Sequence, residues 1–250
     1  MFTNKGLKVF VSPFRRWSWL FILLVAVGGL IFPKLGLLLL PVMVTLIVMG
    51  FYRSKLWCGI ICPHGSLFDQ FAALISLNKP LPRIFSSRAV QGFALAFFCY
   101  MLVQRVLRIT ELWGTISFWD KFGFIFVVNY LMVTLVGFAL AVFIKPRAWC
   151  SICPMGTFQS LSYLLGSRLG ANQGIMQWIT IADKKQCSTC GICAKACPMG
   201  LTPYQAFDAK GQFIHSQCIS CASCVYRCPK GILGFKTGQG ADPGRLNPAS

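Results

Sequence analysis

Histidine and acid are scarce in this chain. Only two histidines, His64 and His215, occur in 250 residues, and Asp and Glu together number 6 against 24 Lys and Arg. No apolar run therefore carries the two imidazoles that a transmembrane b-type haem needs, and the lack of a C-x-x-C-H run excludes c-type haem. There is no G-x-G-x-x-G after a strand, no Walker A run and no Ser-His-Asp arrangement, so flavin, nicotinamide, nucleotide and triad chemistry have no anchor. The formal net charge of +18 invites a nucleic-acid reading. The basic residues, however, are dispersed around the ends of apolar runs, with no basic-aromatic binding segment, which argues against it.

Cysteine is abundant, at 13 residues. Cys187, Cys190, Cys193 and Cys197 precede Pro198, and Cys218, Cys221, Cys224 and Cys228 precede Pro229. This C-x2-C-x2-C-x3-C-P run, present twice, is the bacterial ferredoxin signature and predicts two [4Fe-4S] clusters. Three cysteines of a run wrap one cube, and the fourth ligand comes from the other run. The expected sets are Cys187, Cys190, Cys193 and Cys228 for one cluster, and Cys218, Cys221, Cys224 and Cys197 for the other. Structural zinc rarely uses a third cysteine at this spacing, and a disulfide framework needs an oxidising compartment.

The apolar residues, 56% of the chain, form long runs confined to the first 145 positions. Four membrane spans are expected, at about 17–32, 35–52, 89–103 and 122–144; the first and third are short for a hydrocarbon core that takes about 20 helical residues. Pro33-Lys34 makes a tight helical hairpin of the first pair, and Pro41 kinks the second helix without ending it. No small-residue cleavage site follows the first run, so it reads as a retained helix rather than a signal peptide. Gly28-Gly29 reads as a helix-packing site. Lys5, Lys8, Arg15 and Arg16 before the first span, and Arg53, Lys55, Lys79, Arg83 and Arg88 between the second and third, place both chain termini on the cytoplasmic side of an inner (cytoplasmic) membrane. Trp113 and Trp119, within 108–121, then form an aromatic belt on the far face.

Two segments after the second and fourth spans match each other: Trp57-Cys58, Cys62-Pro63 and Gly65 in one, Trp149-Cys150, Cys153-Pro154 and Gly156 in the other, each with a basic residue upstream. Residues 1 to 78 and 88 to 165 thus read as two copies of one unit of helix, helix, cysteine pair and amphipathic stretch. Each pair is half a cluster site. Brought together they give four thiolates, so Cys58, Cys62, Cys150 and Cys153 are the expected ligands of a third [4Fe-4S] cluster; packed reduced cysteines, zinc and copper are the alternatives. His64, beside this site, is placed to take a proton from a quinol, with Arg53 or Lys55 stabilising the anion; a solvated histidine or a bond to a cluster sulfur is the plainer reading. Cys99 has no ligand partner at close spacing and reads as a core residue.

The expected architecture is an all-α polytopic membrane domain over 1–165, a linker over 166–180, a small α+β two-cluster ferredoxin domain over 181–233, and a flexible tail over 234–250. Four spans, paired C-P motifs after the second and fourth, and a terminal two-cluster ferredoxin resemble the NapH-type membrane ferredoxins, the quinol dehydrogenase membrane component linked to periplasmic nitrate reductase. The NosR and CcoG proteins share the membrane unit. The motif Cys150 to Cys153 departs from that family's pattern, having two intervening residues where the family typically has three. The resemblance implies a membrane electron-transfer protein that takes electrons from the quinone pool and hands them through iron-sulfur centres to a partner redox protein. In the CcoG-like alternative the same centres reduce copper during assembly of a respiratory enzyme; in a third reading the chain is a redox-sensing membrane anchor.

Overall fold

The computed structural model describes residues 13–172 and 174–237. Lys5 and Lys8 of the basic flank and the end of the expected tail, from residue 238 on, lie outside these residues. The described chain is mostly helical, with a three-stranded sheet in its last third.

Five helical stretches are long and apolar enough to cross a membrane, where four were expected. Helix α1 (Phe14–Ile31) and helix α2 (Pro33–Arg53) are separated by Phe32 alone, whose extended backbone breaks the ladder before Pro33. Pro41 lies within the first turn of the α-helical part of α2, downstream of a 3-10 segment at Pro33–Leu38, and the helix runs on through it. The additional stretch is α3 (Leu56–Ile75), which contains the first cysteine pair. It is broken at Ile61-Cys62 and passes through a π-helical turn at Phe68–Ala72. Helix α4 (Arg88–Leu107) starts where the Ser87 side chain accepts from the Ala89 amide. Helix α5 (Ile116–Phe143) begins six residues before the expected span because the Thr115 hydroxyl caps the Phe118 amide. The short helix α6 (Ala148–Ile152) and helix α7 (Pro154–Arg168) follow.

The bundle has two distinguishable ends. At one, the turn after α1 meets the start of α5: Lys34 pairs with Asp120 at 3.8 Å, and a Cβ on Gly36 would fall 2.0 Å from the Gly123 carbonyl oxygen. At the other end lie Arg15, the cysteine pairs and the chain after α5. Both ends of α3 are found there. It starts beside the cavity shared with Arg147, Cys150 and Cys153. Just beyond its finish, the Leu77 and Lys79 amides bond to the carbonyls of Val142 and Ile144 at 2.9 and 2.7 Å. Between these ends His64 reaches Thr134 of α5, nine residues or about 13 Å of helix from Phe143.

Val25, Leu39 and Phe126 join α1, α2 and α5 in one apolar core, and Phe68, Ala72 and Ala141 join α3 to α5 in another. The outer faces are apolar as well: Val44, Val48, Phe93, Phe97, Leu135 and Phe143 are all exposed, as on a surface that meets lipid. Helix α4 contributes no fully buried residue, and Cys99 on it is exposed. The expectation of a core cysteine is therefore corrected: a helix packed along one narrow line leaves most of its residues facing outward.

The sheet has the order β2-β1-β3, antiparallel throughout, with β1 (Gln177–Ile181), β2 (Gln212–Phe213) and β3 (Leu233–Thr237). It extends on both sides of 181–233, and α7 runs three residues beyond 165. Tyr163 of α7 packs with Met176 and Trp178, and the Asn172 side chain donates to the Tyr163 carbonyl at 3.3 Å. The segment expected as a linker thus carries the central strand and is packed against the membrane half.

The close crossing of α2 and α5 yields a test. A Cβ on Gly123 would also meet the Pro33 carbonyl oxygen at 2.3 Å, whereas one on Gly92 would meet nothing within 4 Å. Gly123→Ala is expected to destabilise the protein by about 1–3 kcal/mol in thermal unfolding in detergent, with Gly92→Ala close to neutral.

Candidate metal centres and membrane cavity

The two ferredoxin runs fold alike. In Cys187–Cys193 the left-handed positions are Thr189 (φ 49°) and Gly191 (φ 71°); in Cys218–Cys224 they are Ser220 (φ 51°) and Ala222 (φ 63°). Non-glycine residues adopt this conformation at a cost, and three of the four positions accept it. The alternation turns backbone N–H groups inward, a concavity suited to an anion. Each loop leads directly into one helical turn, α8 (Ile192–Lys195) and α9 (Ser223–Tyr226). Cys187, Cys190, Cys193 and Cys228 line one cavity, walled by Ile181, Tyr204, Phe207 and Leu233. Cys197, Cys218, Cys221 and Cys224 line another, walled by Ile179, Leu201, Pro203 and Phe213. Each cavity therefore takes three cysteines from one run and the fourth from the other.

Cys58, Cys62, Cys150 and Cys153 converge on a third cavity of about 150 Å³. The recurring Cys-Pro ending has a local cause. Cys62 and Cys153 are each the extended residue before a helix whose first position is proline, where the missing N–H costs nothing. Each occupies the N-cap position of its helix, although neither side chain makes a cap hydrogen bond.

Several polar groups around this third cavity bear on what it holds. Gln159 Nε2 donates to Cys58 Sγ at 3.5 Å and Arg147 Nη1 to Cys150 Sγ at 3.4 Å. The Trp149 and Gln217 side chains line the same cavity, and their Nε1 and Nε2 are buried with no hydrogen-bond partner among the described residues. Such donors call for an acceptor inside the cavity, and the sulfurs of an iron-sulfur cluster are acceptors. Among the described residues no three His, Cys, Asp or Glu side chains are gathered closely enough to hold a single metal ion. The donors surround cavities, the arrangement that a multi-iron cube needs. Burial pushes the thiols of Cys153 and Cys218 up to about 12 and that of Cys197 up to about 11, with neighbouring thiolates adding to the effect. Thiolates at these depths need a metal charge beside them.

Sequence reasoning missed the ion cluster that frames this cavity. Asp69 accepts Arg147 Nε and Nη2 at 2.9 Å each and also pairs with Arg15. Arg15 Nη1 and Nη2 donate to the carbonyls of Gly59 and Gly65 at 3.0 and 3.3 Å. Lys55 is buried too, and burial pulls it below the usual lysine range against the pull of the Cys58 and Cys153 thiolates. The available signal was the basic residue three places before the first cysteine of each pair, Lys55 and Arg147. His64 lines the cavity, bonds through Nε2 to Thr134 Oγ1 at 3.0 Å, and lies against Tyr130 with ring centroids 4.6 Å apart. Lys55 lines this cavity, whereas Arg53 lines a separate one with Cys221.

The third cavity lies directly against the ferredoxin segment. Met199, Gln217 and Ile219 help to line it, and Lys145 Nζ donates to the Met199 carbonyl at 3.0 Å. A Cβ on Gly59, next to Cys58, would fall 2.1 Å from the Ile219 carbonyl oxygen and 3.2 Å from Cys221 Cα.

Comparison with known proteins agrees with this division of the chain. Residues 179–229 match the 4Fe-4S dicluster domain family. The 4Fe-4S binding domain family matches twice, over 35–82 and 126–172. An uncharacterized protein of Methanocaldococcus jannaschii, MJ0750, is 26% identical over 181 residues, covering 69% of this chain and 70% of its own. No solved structure matches. With ferredoxin-type 4Fe-4S domains joined to apolar helices of membrane-spanning length, the chain is an iron-sulfur electron-transfer protein of a membrane.

Proposed function

We propose that this protein is a membrane-anchored relay that takes electrons from quinol and passes them through three [4Fe-4S] clusters to a partner redox protein. Cys58, Cys62, Cys150 and Cys153 hold one cluster at the membrane end. Cys197, Cys218, Cys221 and Cys224 hold the next, and Cys187, Cys190, Cys193 and Cys228 hold the outermost. The observation that carries this reading is the convergence of both membrane-half cysteine pairs on one cavity, pressed against the second ferredoxin run at Gly59 and Ile219. Each cluster supplies one-electron transfer when bound.

In this reading the membrane half is a four-span domain built from two copies of one unit, with α3 a re-entrant segment. Support comes from the two ends of α3, which meet the same end of α5, and from the double match to one family. Irregular helix at membrane depth is tolerated where protein covers it, and the α3 residues Phe68 and Ala72 are fully buried. The cysteine-bearing end carries Arg15, Arg16, Lys55, Lys79, Arg88 and Arg147, which favours a cytoplasmic placement for it and for the ferredoxin domain.

Quinol enters this reading through His64. Thr134 Oγ1 donates to the Tyr130 carbonyl at 2.8 Å, so it accepts from His64 Nε2–H, which leaves Nδ1 as the basic atom. An apolar wall of Leu39, Val42, Met43, Phe98 and Phe126 continues the cavity away from the cysteines. Such a wall suits a lipophilic ring, and Nδ1 takes its hydroxyl proton.

Iron and acid-labile sulfide counted on protein purified without oxygen test the cluster number. About 12 irons per chain are expected, falling to about 8 in Cys62→Ser and Cys153→Ser; about 8 in the unsubstituted chain would leave the membrane-half cysteines for copper or thiol chemistry. Gly59→Val tests the relay. It is expected to keep its iron, to weaken the contact with the ferredoxin segment by about 1–3 kcal/mol, and to slow quinol-driven reduction of the ferredoxin clusters in stopped-flow absorbance.

A further inference from the structure

Among the described residues, the third cavity is framed by more basic than acidic side chains. Arg15 and Arg147 side chains are 0% exposed and Lys55 is 6% exposed, while Asp69, 3% exposed, is the one carboxylate that pairs with them among the described residues. Arg147 is bonded to Cys150 Sγ, and Lys55 shares the cavity with Cys58 and Cys153. Lys55 and Arg147 occupy equivalent places in the two halves, each three residues before the first cysteine of its pair. Among the described residues, three buried cations thus gather around one carboxylate, and the charge collected there is net positive. Buried charge of one sign persists only where an opposite charge is close by. Four thiolates around an oxidised [4Fe-4S] core carry two negative charges, and the reduced form carries three.

We propose that Arg15, Arg147 and Lys55 form a buried cation cage that raises the reduction potential of the membrane-half cluster and makes it the first of the three to be reduced. This rests on the assignment of Cys58, Cys62, Cys150 and Cys153 to a cluster. Reduction adds one electron, from a quinol or from dithionite in the assay, and makes or breaks no bond. The cage holds its charges out of water, where they stabilise the added negative charge with little screening. The outer ferredoxin site lacks such a setting: Lys184, Lys185 and Lys230 near the Cys187 to Cys190 loop are exposed to solvent, whereas the inner site borders the cage, with Cys221 within electrostatic reach of Arg15 and Arg147 and Cys218 within reach of Lys55. These three residues, of which Lys55 and Arg147 line the cavity, act as positioning and tuning groups, since they neither ligate iron nor exchange electrons.

The test is a redox titration of the full chain in detergent, followed by electron paramagnetic resonance, with Cys153→Ser identifying the membrane-half signal. In the unsubstituted protein that signal is expected at the most positive potential of the three. Arg147→Gln and Lys55→Met are each expected to weaken its reduction at least tenfold, about 59 mV for one electron, with the signal of the outer site at Cys187, Cys190, Cys193 and Cys228 unmoved and that of the inner site moved less. Arg147→Lys keeps the charge and the potential. Asp69→Asn, which removes the offsetting anion, moves the potential the other way, a sign that general loosening of the site would not produce. A full iron count with a potential unmoved in every variant that keeps its iron overturns the cage and leaves the third cluster standing. Should all variants lose that iron, the order of reduction in the unsubstituted protein decides, and a membrane-half signal reduced last overturns the cage. An iron count of about 8 in the unsubstituted protein overturns the cluster assignment itself.

Discussion

A single carboxylate holds three parts of the membrane half in register. Asp69 lies in the middle of α3, and its two oxygens meet Arg147, from the turn after α5, and Arg15, from the start of α1. Arg15 in turn bonds to the carbonyls of Gly59 and Gly65, on either side of Cys62. Removing one partner of such a buried set costs about 3–5 kcal/mol, because the charge left behind has neither water nor counterion. That penalty makes the arrangement a constraint as much as an attraction. The first cysteine pair cannot drift from the second without separating Asp69 from Arg147. In a chain with only 6 acidic residues, placing one of them at this point gives it unusual structural weight.

In the re-entrant reading of α3, the same constraint accounts for its return. Its composition passes for a span, yet Asp69, Gln70 and Ser66 along it are all engaged at the end where Arg15 lies: Gln70 Nε2 donates to the Arg15 carbonyl at 3.3 Å, and the Ser66 hydroxyl donates to it as well. A segment whose polar groups are tied to one end of the bundle, and whose exit at Leu77 and Lys79 is bonded to the end of α5, has its path fixed by those bonds. Hydropathy measures what a segment is made of and takes no account of where its polar atoms find partners.

How legible the molecule was in its sequence follows from how local each signal is. The eight ferredoxin cysteines stand out in the sequence because ligand spacing is set within a dozen residues by loop geometry, and four of them line each of two cavities. The hairpin at Pro33 was legible from proline chemistry. The strand β1 was not, because Gln177–Ile181 becomes a strand through pairing with Leu233–Thr237, more than fifty residues away. Cys99 was misplaced because apolar periodicity does not say whether a helix faces protein or lipid. In the candidate membrane site the cysteines were visible as a repeat, whereas Asp69 appeared only as a lone acid among basic residues. Its role depends on Arg15 and Arg147, which lie 54 and 78 residues from it in sequence.

The unequal cysteine pairs can be understood through the two roles each pair performs. The second cysteine of each pair, Cys62 or Cys153, is fixed by its helix start: it is the N-cap residue, its backbone is outside the helix, and proline comes next. The first, Cys58 or Cys150, is carried on a short preceding helix, and only its direction matters. In the second half α6 ends at Ile152 and Cys153 follows at once; in the first half Ile61 is interposed as a turn residue before Cys62. The added residue falls where the chain is already leaving the helix, so it alters the approach of Cys58 without disturbing the helix start at Pro63. Gln159 and Arg147, each bonded to the first cysteine of one pair, then hold Cys58 and Cys150 toward the common cavity. Two spacings thus serve one site, since the invariant element is the proline-led helix start and the variable one is the turn leading into it.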